Sequence, residues 1–485
     1  MKDILIIQPP VSFNNSRPVL PQSAIGIGML TIMAYIKQFG FKGEVIHIPR
    51  ALSMGYSLED IFQRIKNENP KLISIGLNWL HFSEGALQLA SILRKMLPNT
   101  TIVVGGQHAT LFAKEILESS KDIDGVAVGE SERTIYYLLK ELKRGIRYIP
   151  KDIPGIMTNH SSDGITGLIP EVIEELDNLP FYSYKDVWPY TKEICAALDT
   201  VRGECIRNCS YCIESKTNSL QGRGRFTQHS PEYLAKQVKS FIDEGINNVT
   251  IQDPFCLIGD KKVQEFCSCL KAKNIKLNLL NIFVEPRAFD YEETLMALKE
   301  VANIVSLDYG METGSTKTAD FIGRSYSKDK LLQSLKCTSK MGIRVLTWWM
   351  TGLPGDNKES LKENMDYIEK TIKCGTIPRW ITPLILFPHT DMAKKNKYYG
   401  IKPYMSSFKD FCNYSKVQAN TYGVYPELLT HETTDQNKRA IVESTIALKK
   451  AILDKIDEHK NTLMSFGWTS KELEAIENEA KGSFY

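Results

Sequence analysis

Over its first 145 residues the chain alternates short apolar strands with longer helical segments, and this alternation restricts the fold more than any other feature. The predicted strands lie at residues 4–7, 44–48, 72–77, 101–104 and 125–128. They are continuous apolar runs, which is typical of parallel strands that helices cover on both faces. Glycines follow the last two strands, at the edge where open parallel sheets bind ligands. We therefore predict a Rossmann-like α/β domain for residues 1–145.

A second strand–helix series follows a proline-rich segment, residues 146–193, which we interpret as a linker or a small β extension. The strands predicted for this series lie at residues 195–200, 248–252, 278–284, 304–310, 345–350 and 380–386. Such a series makes a partial (β/α)6 barrel over residues 194–395 rather than the closed eight-fold barrel. The remaining residues, 396–485, have a mainly helical pattern, and we expect them to cap the barrel and to select the substrate.

Charge balance and apolar patterning exclude several classes of protein. Lys and Arg number 60 against 57 Asp and Glu, so the formal net charge of +3 gives no support for a nucleic-acid partner. No apolar run reaches the ~18–20 residues that a membrane-spanning helix needs. The first residues form a short predicted strand rather than the apolar core of a secretory signal. We expect a cytoplasmic protein, whose ten cysteines are not paired in disulfides.

Three cysteines, Cys205, Cys209 and Cys212, stand close together after the first strand of the second series. Such thiols can be small buried hydrophobic side chains. They can also bind zinc, although zinc sites usually have four ligands and no matching fourth Cys or His lies nearby. Three thiolates on a four-iron cluster leave one iron open to a substrate or cofactor. We favour this last interpretation, in which the three cysteines bind a four-iron, four-sulfur ([4Fe-4S]) cluster and carry the chemistry.

The C-x3-C-x2-C spacing resembles that of the radical S-adenosylmethionine (radical SAM) superfamily, and further stretches of the second series match its motifs in order. They are Thr-Ile-Gln-Asp-Pro-Phe at 250–255, Glu-Pro-Arg at 285–287, Gly-Met-Glu-Thr-Gly-Ser at 310–315, Met-Thr-Gly-Leu-Pro-Gly at 350–355 and Leu-Phe-Pro-His-Thr at 386–390. The last one departs from the family pattern, because His389 stands where Pro-Gly is usual. Each motif is weak alone, and their order and spacing carry the resemblance.

This resemblance implies contacts to SAM, which would chelate the open iron through its amino and carboxylate groups. The matching residues are Tyr211 (near the adenine), Gln252 and Asp253 (amino group), Arg287 (carboxylate), Glu312 (ribose or methionine end) and Gly352 (the turn after the fifth strand). An electron from the cluster would cleave SAM and produce a 5′-deoxyadenosyl radical. The chemistry therefore implies an external electron donor such as flavodoxin or ferredoxin.

The N-terminal α/β domain resembles the cobalamin-binding module that precedes the barrel in B12-binding radical SAM enzymes. The positions that match its ligand loops are Ser74, Leu77, Asn78, Trp79, Gly105, Gly106, His108, Gly129 and Glu130. Glycines suit such loops because a Cβ would collide with a bulky planar ligand. The resemblance thus implies cobalamin as a third cofactor. The alternative is a vestigial Rossmann-like module that binds no B12.

The Asp-x-His-x-x-Gly motif, which supplies the lower cobalt ligand in many B12 domains, is missing from this sequence. We therefore expect cobalt to be bound without that histidine, as is common in this subgroup. Trp79 lies where a side chain sits beneath cobalt, and His81 is close enough to be a rival for that place.

The activity implied by the resemblance is that of a SAM-dependent methyltransferase, which transfers a methyl group from methylcobalamin to an unactivated carbon through the adenosyl radical. One alternative is a B12 radical SAM enzyme that performs a cyclisation or ring rearrangement. Another is methylation of an sp2 carbon without a radical. A B12 or redox sensor is a third, although a sensor needs no SAM-site motifs. The sequence does not distinguish a small-molecule substrate from a peptide.

Adjacent aromatic and basic residues outside these motifs are further candidates. Trp348 and Trp349 are neighbours on a strand, so one should face the barrel interior, as core or as a wall of the substrate pocket, and the other the helices. Arg223 and Arg225 follow the cysteine loop and are candidates for pairing with an anionic substrate or cofactor, or for a solvated surface. The remaining cysteines match no spacing of a second cluster, and we interpret them as structural thiols.

Overall fold

In the computed structural model, the described residues are 2–14, 25–146, 148–159, 169–205, 207, 209–215, 222–253, 260–285, 292–420 and 423–482. They belong to two compact units. The first unit consists of Met1–Glu204, Thr217–Ile246 and Ser406–Asn420, and the second of Cys205–Lys216, Asn247–Met405 and Thr421–Tyr485. The domain boundaries predicted from the sequence stay predictions.

A mostly parallel sheet forms the centre of the first unit. The strands of this unit are β1 Ile4–Gln8, β2 Gly43–His47, β3 Leu72–Gly76, β4 Thr101–Gly105, β5 Gly125–Ala127, β6 Ile156–Met157, β7 Val187–Trp188, β8 Cys195–Ala197, β9 Val201–Arg202 and β10 Thr227–Gln228. One sheet has the order β6-β5-β4-β3-β1-β2-β7. The five strands predicted for residues 1–145 are its parallel members β1 to β5, and β1 is fully buried because helices cover both faces. The Rossmann-like α/β fold is therefore confirmed.

Helices connect these strands and cover the sheet. They are α1 Ile27–Lys37, α2 Ile48–Ser53, α3 Leu58–Glu68, α4 Ser83–Met96, α5 Gln107–Leu111, α6 Ala113–Ser119, α7 Glu132–Lys143 and α8 Pro231–Asp243. Local sequence explains where several of them begin. Ser57 and Asp60 form a capping box at the start of α3, and Ser230 caps α8 ahead of Pro231. The proline-rich segment 146–193 contributes the two edge strands β6 and β7, which lengthen the sheet at both sides.

The second unit is built on a parallel sheet whose neighbouring strands follow chain order. Its strands are β11 Asn248–Thr250, β12 Leu277–Val284, β13 Ala302–Glu312, β14 Arg344–Thr351, β15 Ile377–Pro383, β16 Ile401–Pro403 and β17 His431–Thr433. Strands β11 to β15 are parallel neighbours, as the barrel prediction requires. The first strand predicted for the barrel, at 195–200, is the short β8, which belongs to the first unit.

Helices separate the barrel strands and form most of the C-terminal part of the chain. They are α9 Asp260–Ala272, α10 Glu292–Val301, α11 Thr316–Phe321, α12 Lys328–Lys340, α13 Lys358–Ile372, α14 Asp391–Lys394, α15 Phe408–Asn420, α16 Lys438–Glu458, α17 Lys460–Ser465 and α18 Ser470–Gly482. Helix α16 packs along the barrel strands, where Thr445 and Thr351 share a hydrogen bond of 2.6 Å. Among the helices that the structure describes, none combines the length and apolar character needed to cross a membrane.

Helix α15 comes from the C-terminal part of the sequence but belongs to the first unit. The Ser415 hydroxyl donates to the Leu80 carbonyl (3.0 Å), and Phe408 N–H donates to the Glu115 carboxylate (2.6 Å). Phe408 and Phe411 are fully buried there. The helical pattern predicted this element, but the unit against which it packs depends on long-range contacts that the pattern does not encode.

Candidate active site

The three cysteines lie on one loop of the second unit, and backbone hydrogen bonds fix that loop. Cys212 N–H donates to the Cys209 carbonyl (3.2 Å). The N–H and hydroxyl of Ser210 both donate to the carbonyl of Ile322, directly after α11 (3.3 and 3.0 Å). Cys209 is buried, and Cys205 and Cys212 are partly exposed. Cys205 N–H donates to the Glu214 carbonyl (3.3 Å), so the backbone is bonded near each of the three cysteines.

The three sulfurs are not gathered around a single ion. The three Sγ atoms do not all lie within 4.8 Å of one another, whereas thiolates around one zinc ion lie about 3.8 Å apart. Burial raises the pKa of the Cys212 thiol to about 12 and also raises that of Cys205. Bound iron must therefore displace the thiol protons and supply the compensating charge. Three thiolate donors are the set that holds a [4Fe-4S] cluster while leaving one iron open to another ligand.

Arg324, which follows α11, joins the cysteine loop to the carboxyl end of β13. The residue is 8% exposed, and its guanidinium donates to the Gly310 carbonyl (2.7 Å) and to Cys209 Sγ (3.6 Å) and lies 3.5 Å from a Glu312 oxygen. Burial alone would lower its pKa, but Tyr211, Glu312 and Cys209 raise it, so the guanidinium stays charged. A buried cation thus touches both a predicted cluster ligand and a predicted SAM contact. The sequence analysis missed Arg324, because a lone arginine after a short helix carries no motif.

Glu312 ends β13 in a left-handed backbone conformation. Its φ is +62°, which costs a residue with a Cβ about 1–3 kcal/mol, and the pairing of β13 with β14 shifts register between Gly310 and Glu312. A Cβ on Gly310 would lie 2.7 Å from the Glu312 carboxylate and 2.9 Å from Arg324, so a side chain here would push these two groups aside. Burial raises the pKa of Glu312, while Arg324 and Tyr211 oppose the rise. The predicted G-x-E motif therefore presents its carboxylate beside the buried cation.

Tyr211 and the turn after β14 pack against one apolar cluster. The buried members of the cluster are Ile322, Leu353, Leu384, Leu386, Met392 and Ile401. Gly352 has φ +69°, and its carbonyl accepts a hydrogen bond from His431 Nε2 (2.8 Å). Leu353 N–H donates to Asp356 (3.0 Å), a carboxyl whose pKa is raised to about 7 by burial. The turn is thus held by a histidine and a carboxyl for which the sequence offered no signal.

His389, the residue that departs from the family pattern, adopts a left-handed backbone conformation. Its φ is +71°, in the region that favours glycine. The following Thr390 accepts a hydrogen bond from Ala393 N–H (3.2 Å) and so caps α14. The chain therefore makes this turn with a histidine in a conformation that favours glycine.

The predicted contacts to the amino-acid end of SAM are described only in part. Gln252 is exposed shortly after β11, and Asp253 beside it is half-buried. Arg287 and residues 254–259 lie outside the described residues. The roles of these residues stay predictions.

In the first unit, the loops after β3 and β4 are bonded to each other. Leu77 N–H donates to the Gly105 carbonyl (2.7 Å), and Gln107 N–H donates to Asn78 Oδ1 (3.3 Å). Gly106 has φ +119°, and a Cβ there would lie 2.4 Å from Asn78 Oδ1. We expected the loop glycines to make room for a ligand. At Gly106, however, the Asn78 side chain of the protein itself occupies the space that a Cβ would need.

Other predicted cobalamin positions lie along the same sheet edge. Ser74 is buried within β3, and Gly129, after β5, has φ +73° and donates its N–H to Thr110 Oγ1 (2.9 Å). Trp79 is 49% exposed, which is high for so large an apolar side chain. Trp79 is therefore the predicted position with the most side-chain surface left to contact a planar ligand.

The two histidines of these loops face the protein interior. His81 Nδ1 is hydrogen-bonded to Gln418 Oε1 of α15 (2.7 Å), and burial lowers the pKa of His81. His108 is buried against Phe112 and Phe411, with ring centroids 4.9 and 5.2 Å away. Burial, with a smaller effect of His81, lowers the pKa of His108 to about 3. Both rings are therefore neutral at physiological pH and are part of the packing with α15.

Glu130 belongs to a buried network of ion pairs. Its carboxylate pairs with Arg223 (2.6 Å) and with Arg202 (3.1 Å), and Arg202 also pairs with Glu132 (2.9 Å) and Asp199 (2.9 Å). Arg223 thus bonds to a carboxylate of the chain, and the neighbouring exposed Arg225 pairs with Glu174 (3.0 Å). Because buried charges need partners, this network accounts for Glu130 and Arg223 without a ligand.

Two family models match the chain. The B12 binding domain matches residues 19–139, and the radical SAM superfamily matches residues 202–368. The chain is a radical SAM protein with a B12-binding domain. The two matches lie over the Rossmann-like sheet and over the barrel strands up to α13, in the order that the motifs indicated.

Relatives of this radical SAM protein include enzymes of different names. An uncharacterized methyltransferase of Pyrococcus horikoshii is 22% identical over 376 residues, which are 76% of this chain and 78% of the relative. Anaerobic magnesium-protoporphyrin IX monomethyl ester cyclase of Cereibacter sphaeroides is 19% identical over 327 residues, 65% of this chain and 52% of that protein. The chain thus spans about half of the length of the cyclase.

A solved structure shares the fold. TsrM of Kitasatospora setae, a radical S-adenosylmethionine methyltransferase with cobalamin and a [4Fe-4S] cluster bound, matches with a TM-score of 0.63 at 14% identity. The match covers 92% of this chain and 89% of TsrM. At this identity the likeness shows the fold and leaves the reaction to the residues of the site.

Proposed function

We propose that this chain is a cobalamin-dependent radical SAM enzyme that transfers a methyl group to an unactivated carbon of its substrate. The cysteine loop carries the proposal: it supplies three free thiols, the donor set that leaves one iron of a [4Fe-4S] cluster open, and Arg324 connects Cys209 to Glu312. When bound, the [4Fe-4S] cluster and SAM supply a 5′-deoxyadenosyl radical, and cobalamin supplies the methyl group. The protein's task is to place these groups and the substrate.

The site residues of the second unit have positioning roles in this proposal. Cys205, Cys209 and Cys212 hold the iron and leave one iron for the amino and carboxylate groups of SAM. Glu312 accepts hydrogen bonds from SAM, and Arg324 fixes that carboxylate through its buried contacts. Tyr211 offers its ring to the adenine from the apolar cluster against which it packs.

In the first unit, Trp79 is the residue that we assign to the corrin. Its side chain is 49% exposed, and the bonded loops after β3 and β4 hold its backbone in place. His81 is a weaker candidate for the cobalt, because its ring bonds to Gln418. The lower face of cobalt would then be covered by an apolar ring rather than ligated by a nitrogen.

The names of the relatives favour methylation and leave a second reaction open. The Pyrococcus horikoshii relative is named a methyltransferase, and TsrM is one. TsrM has also been solved with tryptophan bound, which supports a small-molecule substrate here. The Cereibacter sphaeroides relative is a cyclase, so a ring-forming reaction without methyl transfer is the second candidate. An external one-electron donor is part of either proposal.

Product analysis separates these reactions. Anaerobically reconstituted protein is incubated with SAM, cobalamin and a chemical reductant, and 5′-deoxyadenosine and S-adenosylhomocysteine are quantified. We expect both products, since radical formation and methylation of cobalamin each consume SAM. 5′-Deoxyadenosine alone would support the cyclase, and S-adenosylhomocysteine alone would support methylation without a radical. The absence of both products would contradict the proposed function.

A matched pair of cysteine variants controls this experiment. Cys209→Ala removes a predicted cluster ligand and should abolish formation of 5′-deoxyadenosine. Cys337→Ala removes an exposed thiol of α12 and should leave the yield unchanged. Equal yields from the two variants would show that the cysteine loop does not hold the reactive cluster.

A further inference from the structure

Three aromatic rings, those of Phe321, Tyr398 and Tyr399, form a patch on the surface of the second unit. The Phe321 ring, at the end of α11, lies 5.6 Å from that of Tyr398 and 5.3 Å from that of Tyr399, measured between centroids. Tyr398 is 70% exposed, whereas Tyr399 packs inward against the apolar cluster that Tyr211 also contacts. This aromatic patch therefore presents apolar surface to solvent beside the interior of the site.

Backbone hydrogen bonds hold the segment that carries the two tyrosines. The N–H groups of Tyr398 and Tyr399 both donate to the Lys395 carbonyl (2.9 and 3.2 Å). Ile401 N–H donates to the Asn396 carbonyl (2.8 Å) and closes the turn after α14. The aromatic patch is thus held in place before any partner binds, and a partner would lose little free energy in ordering it.

Lysines accompany the aromatic patch on both of its segments. Lys317 lies four residues before Phe321 on α11, and Lys394 lies four residues before Tyr398, with Lys397 next to that tyrosine. These three lysines are exposed and form no ion pair with another described residue. Their charges are therefore available to a partner.

Acidic residues on the same segments do not cancel this charge. Asp391 pairs with a fourth lysine, Lys395 (3.4 Å), and Asp320 accepts a hydrogen bond from the Ser325 hydroxyl. Four lysines thus face two aspartates, although the whole chain has a net charge of only +3. The surface around the aromatic patch is locally basic, which favours an acidic partner.

Both segments of the patch are bonded to the cysteine loop at Ser210, which stands between Cys209 and Cys212. The N–H and hydroxyl of Ser210 donate to the carbonyl of Ile322, the residue after Phe321 (3.3 and 3.0 Å). The N–H of Met392, in the first turn of α14, donates to the Ser210 carbonyl (2.8 Å). A short bonded route therefore leads from the aromatic patch to the predicted cluster ligands.

We propose that the aromatic patch and its lysines are the docking surface for the external electron donor, a small protein with an acidic surface around its redox group. Charge complementarity selects this partner, since unpaired lysines attract an acidic protein and orient it. The rings supply the apolar centre of the contact. This assignment rests on the proposed function, which needs one electron at the cluster for each SAM that is cleaved.

The electron step is balanced when flavodoxin is the donor. One electron passes from the anionic flavin hydroquinone, which becomes the neutral semiquinone, to the cluster held by Cys209, and no proton moves. Electron-transfer complexes bury less than about 1,200 Å², so binding is weak and short-lived. It depends strongly on salt, because the charges that attract the donor are exposed.

Charge reversal beside the patch tests the docking surface with flavodoxin as the probe. One variant combines Lys394→Glu with Lys397→Glu. The matched control combines Lys336→Glu with Lys340→Glu, two exposed lysines near the end of α12, where the chain leads into the amino end of β14. Stopped-flow absorbance follows the flavin semiquinone when flavodoxin hydroquinone is mixed with each anaerobic holoenzyme at low and at high salt.

We expect the patch variant to accept electrons about tenfold or more slowly than the wild type at low salt, with little salt dependence left. The control variant should stay within about twofold of the wild-type rate. Equal rates in the two variants, or a wild-type rate that salt does not change, would overturn the assignment.

An aromatic variant tests the centre of the same surface. Tyr398→Ser removes a ring that is 70% exposed, so the melting temperature should hardly change. Calorimetric titration with oxidised flavodoxin should show a dissociation constant about threefold to tenfold higher. Wild-type affinity in this variant would remove the ring from the docking surface and contradict the assignment. A wild-type dimer that becomes monomeric on Lys394→Glu with Lys397→Glu would assign the patch to a second copy of the chain instead.

Chemical reduction separates this inference from the proposed function. The patch variant should form 5′-deoxyadenosine normally with dithionite, because the cluster and the SAM site are unchanged. Normal turnover with dithionite, together with equal flavodoxin rates in all variants, would disprove only the docking surface. Flavodoxin binding that the patch variant loses, without any 5′-deoxyadenosine from either reductant, would support the docking surface and disprove the radical reaction.

Discussion

The cysteine loop of the second unit and the strand-end loops of the first unit differ in how far the protein's own packing explains their residues. In the cysteine loop, backbone bonds hold three free thiols, the donor set that an iron cluster with one open iron needs. In the first unit, Gly106 accommodates Asn78, and Glu130 pairs with two arginines. Where contacts within the protein already explain a motif residue, that residue gives weak support for a ligand. A motif residue that such contacts do not explain gives stronger support. Single substitutions can test this difference.

Of the substitutions considered below, Glu130→Gln should lower the free energy of unfolding the most. Arg202 and Arg223 would lose a buried carboxylate, which lowers the free energy of unfolding by about 3–5 kcal/mol. Urea unfolding of the protein without cofactors measures this change, and cobalamin binding is measured on the fraction that stays folded. Unchanged stability with weaker cobalamin binding would instead make Glu130 a cofactor ligand.

The buried Asp356 predicts a pH dependence in the turn after β14. Burial raises its folded-state pKa to about 7, above the unfolded value of 3.8. Its contribution to stability is therefore full below about pH 4 and is lost as pH rises to about 7. Between about pH 5 and pH 8 we expect a loss of about 2 kcal/mol in the free energy of unfolding. Asp356→Asn should flatten this slope, and an identical slope in the variant would contradict the assignment.

Arg324→Leu should change the reduction potential of the cluster and the affinity for SAM, while the three cysteines still hold the cluster. The reduction potential of the cluster should fall by some tens of millivolts, because Cys209 loses a cationic hydrogen-bond donor. SAM should bind about tenfold more weakly, because Glu312 loses its anchor. EPR-monitored redox titration and SAM binding measure the two effects. Arg324→Lys should restore part of the potential, and a potential that stays at the wild-type value in Arg324→Leu would exclude the contact.

Trp79→Ala should change the unfolding free energy the least, and it therefore contrasts most clearly with Glu130→Gln. Because the side chain is 49% exposed, its removal should hardly change the unfolding free energy. Cobalamin affinity should fall about threefold to tenfold if the ring packs against the corrin. Absorbance titration with cobalamin measures this loss, and wild-type affinity would show that another residue covers the corrin.

Local patterns predicted the fold well, and they are also the basis of the cluster-ligand prediction. The strand series and the cysteine spacing are encoded in consecutive residues, so β1 to β5 and the order of the barrel strands follow from hydrophobic runs. The same pattern separates Trp348 from Trp349, since alternation puts neighbours on opposite faces. Periodicity alone did not show that Trp349 is the one that packs against Tyr367 of α13.

Long-range contacts explain what the sequence did not reveal. Arg324 reaches Cys209 from a position more than a hundred residues later in the chain, and His431 reaches Gly352 in a similar way. Helix α15 joins the first unit although it follows the barrel. Such partners are set by tertiary packing, which motif spacing does not record.

The most direct test of the account is EPR spectroscopy of the reduced, anaerobically reconstituted protein with and without SAM. We predict about four iron atoms per chain and a cluster signal whose g-values shift when SAM is added, because SAM binds the open iron. The signal should be missing in Cys209→Ala and intact in Cys337→Ala. A single bound metal ion, or a cluster signal that SAM leaves unchanged, would contradict the claim that the three thiols of this loop leave one iron for SAM.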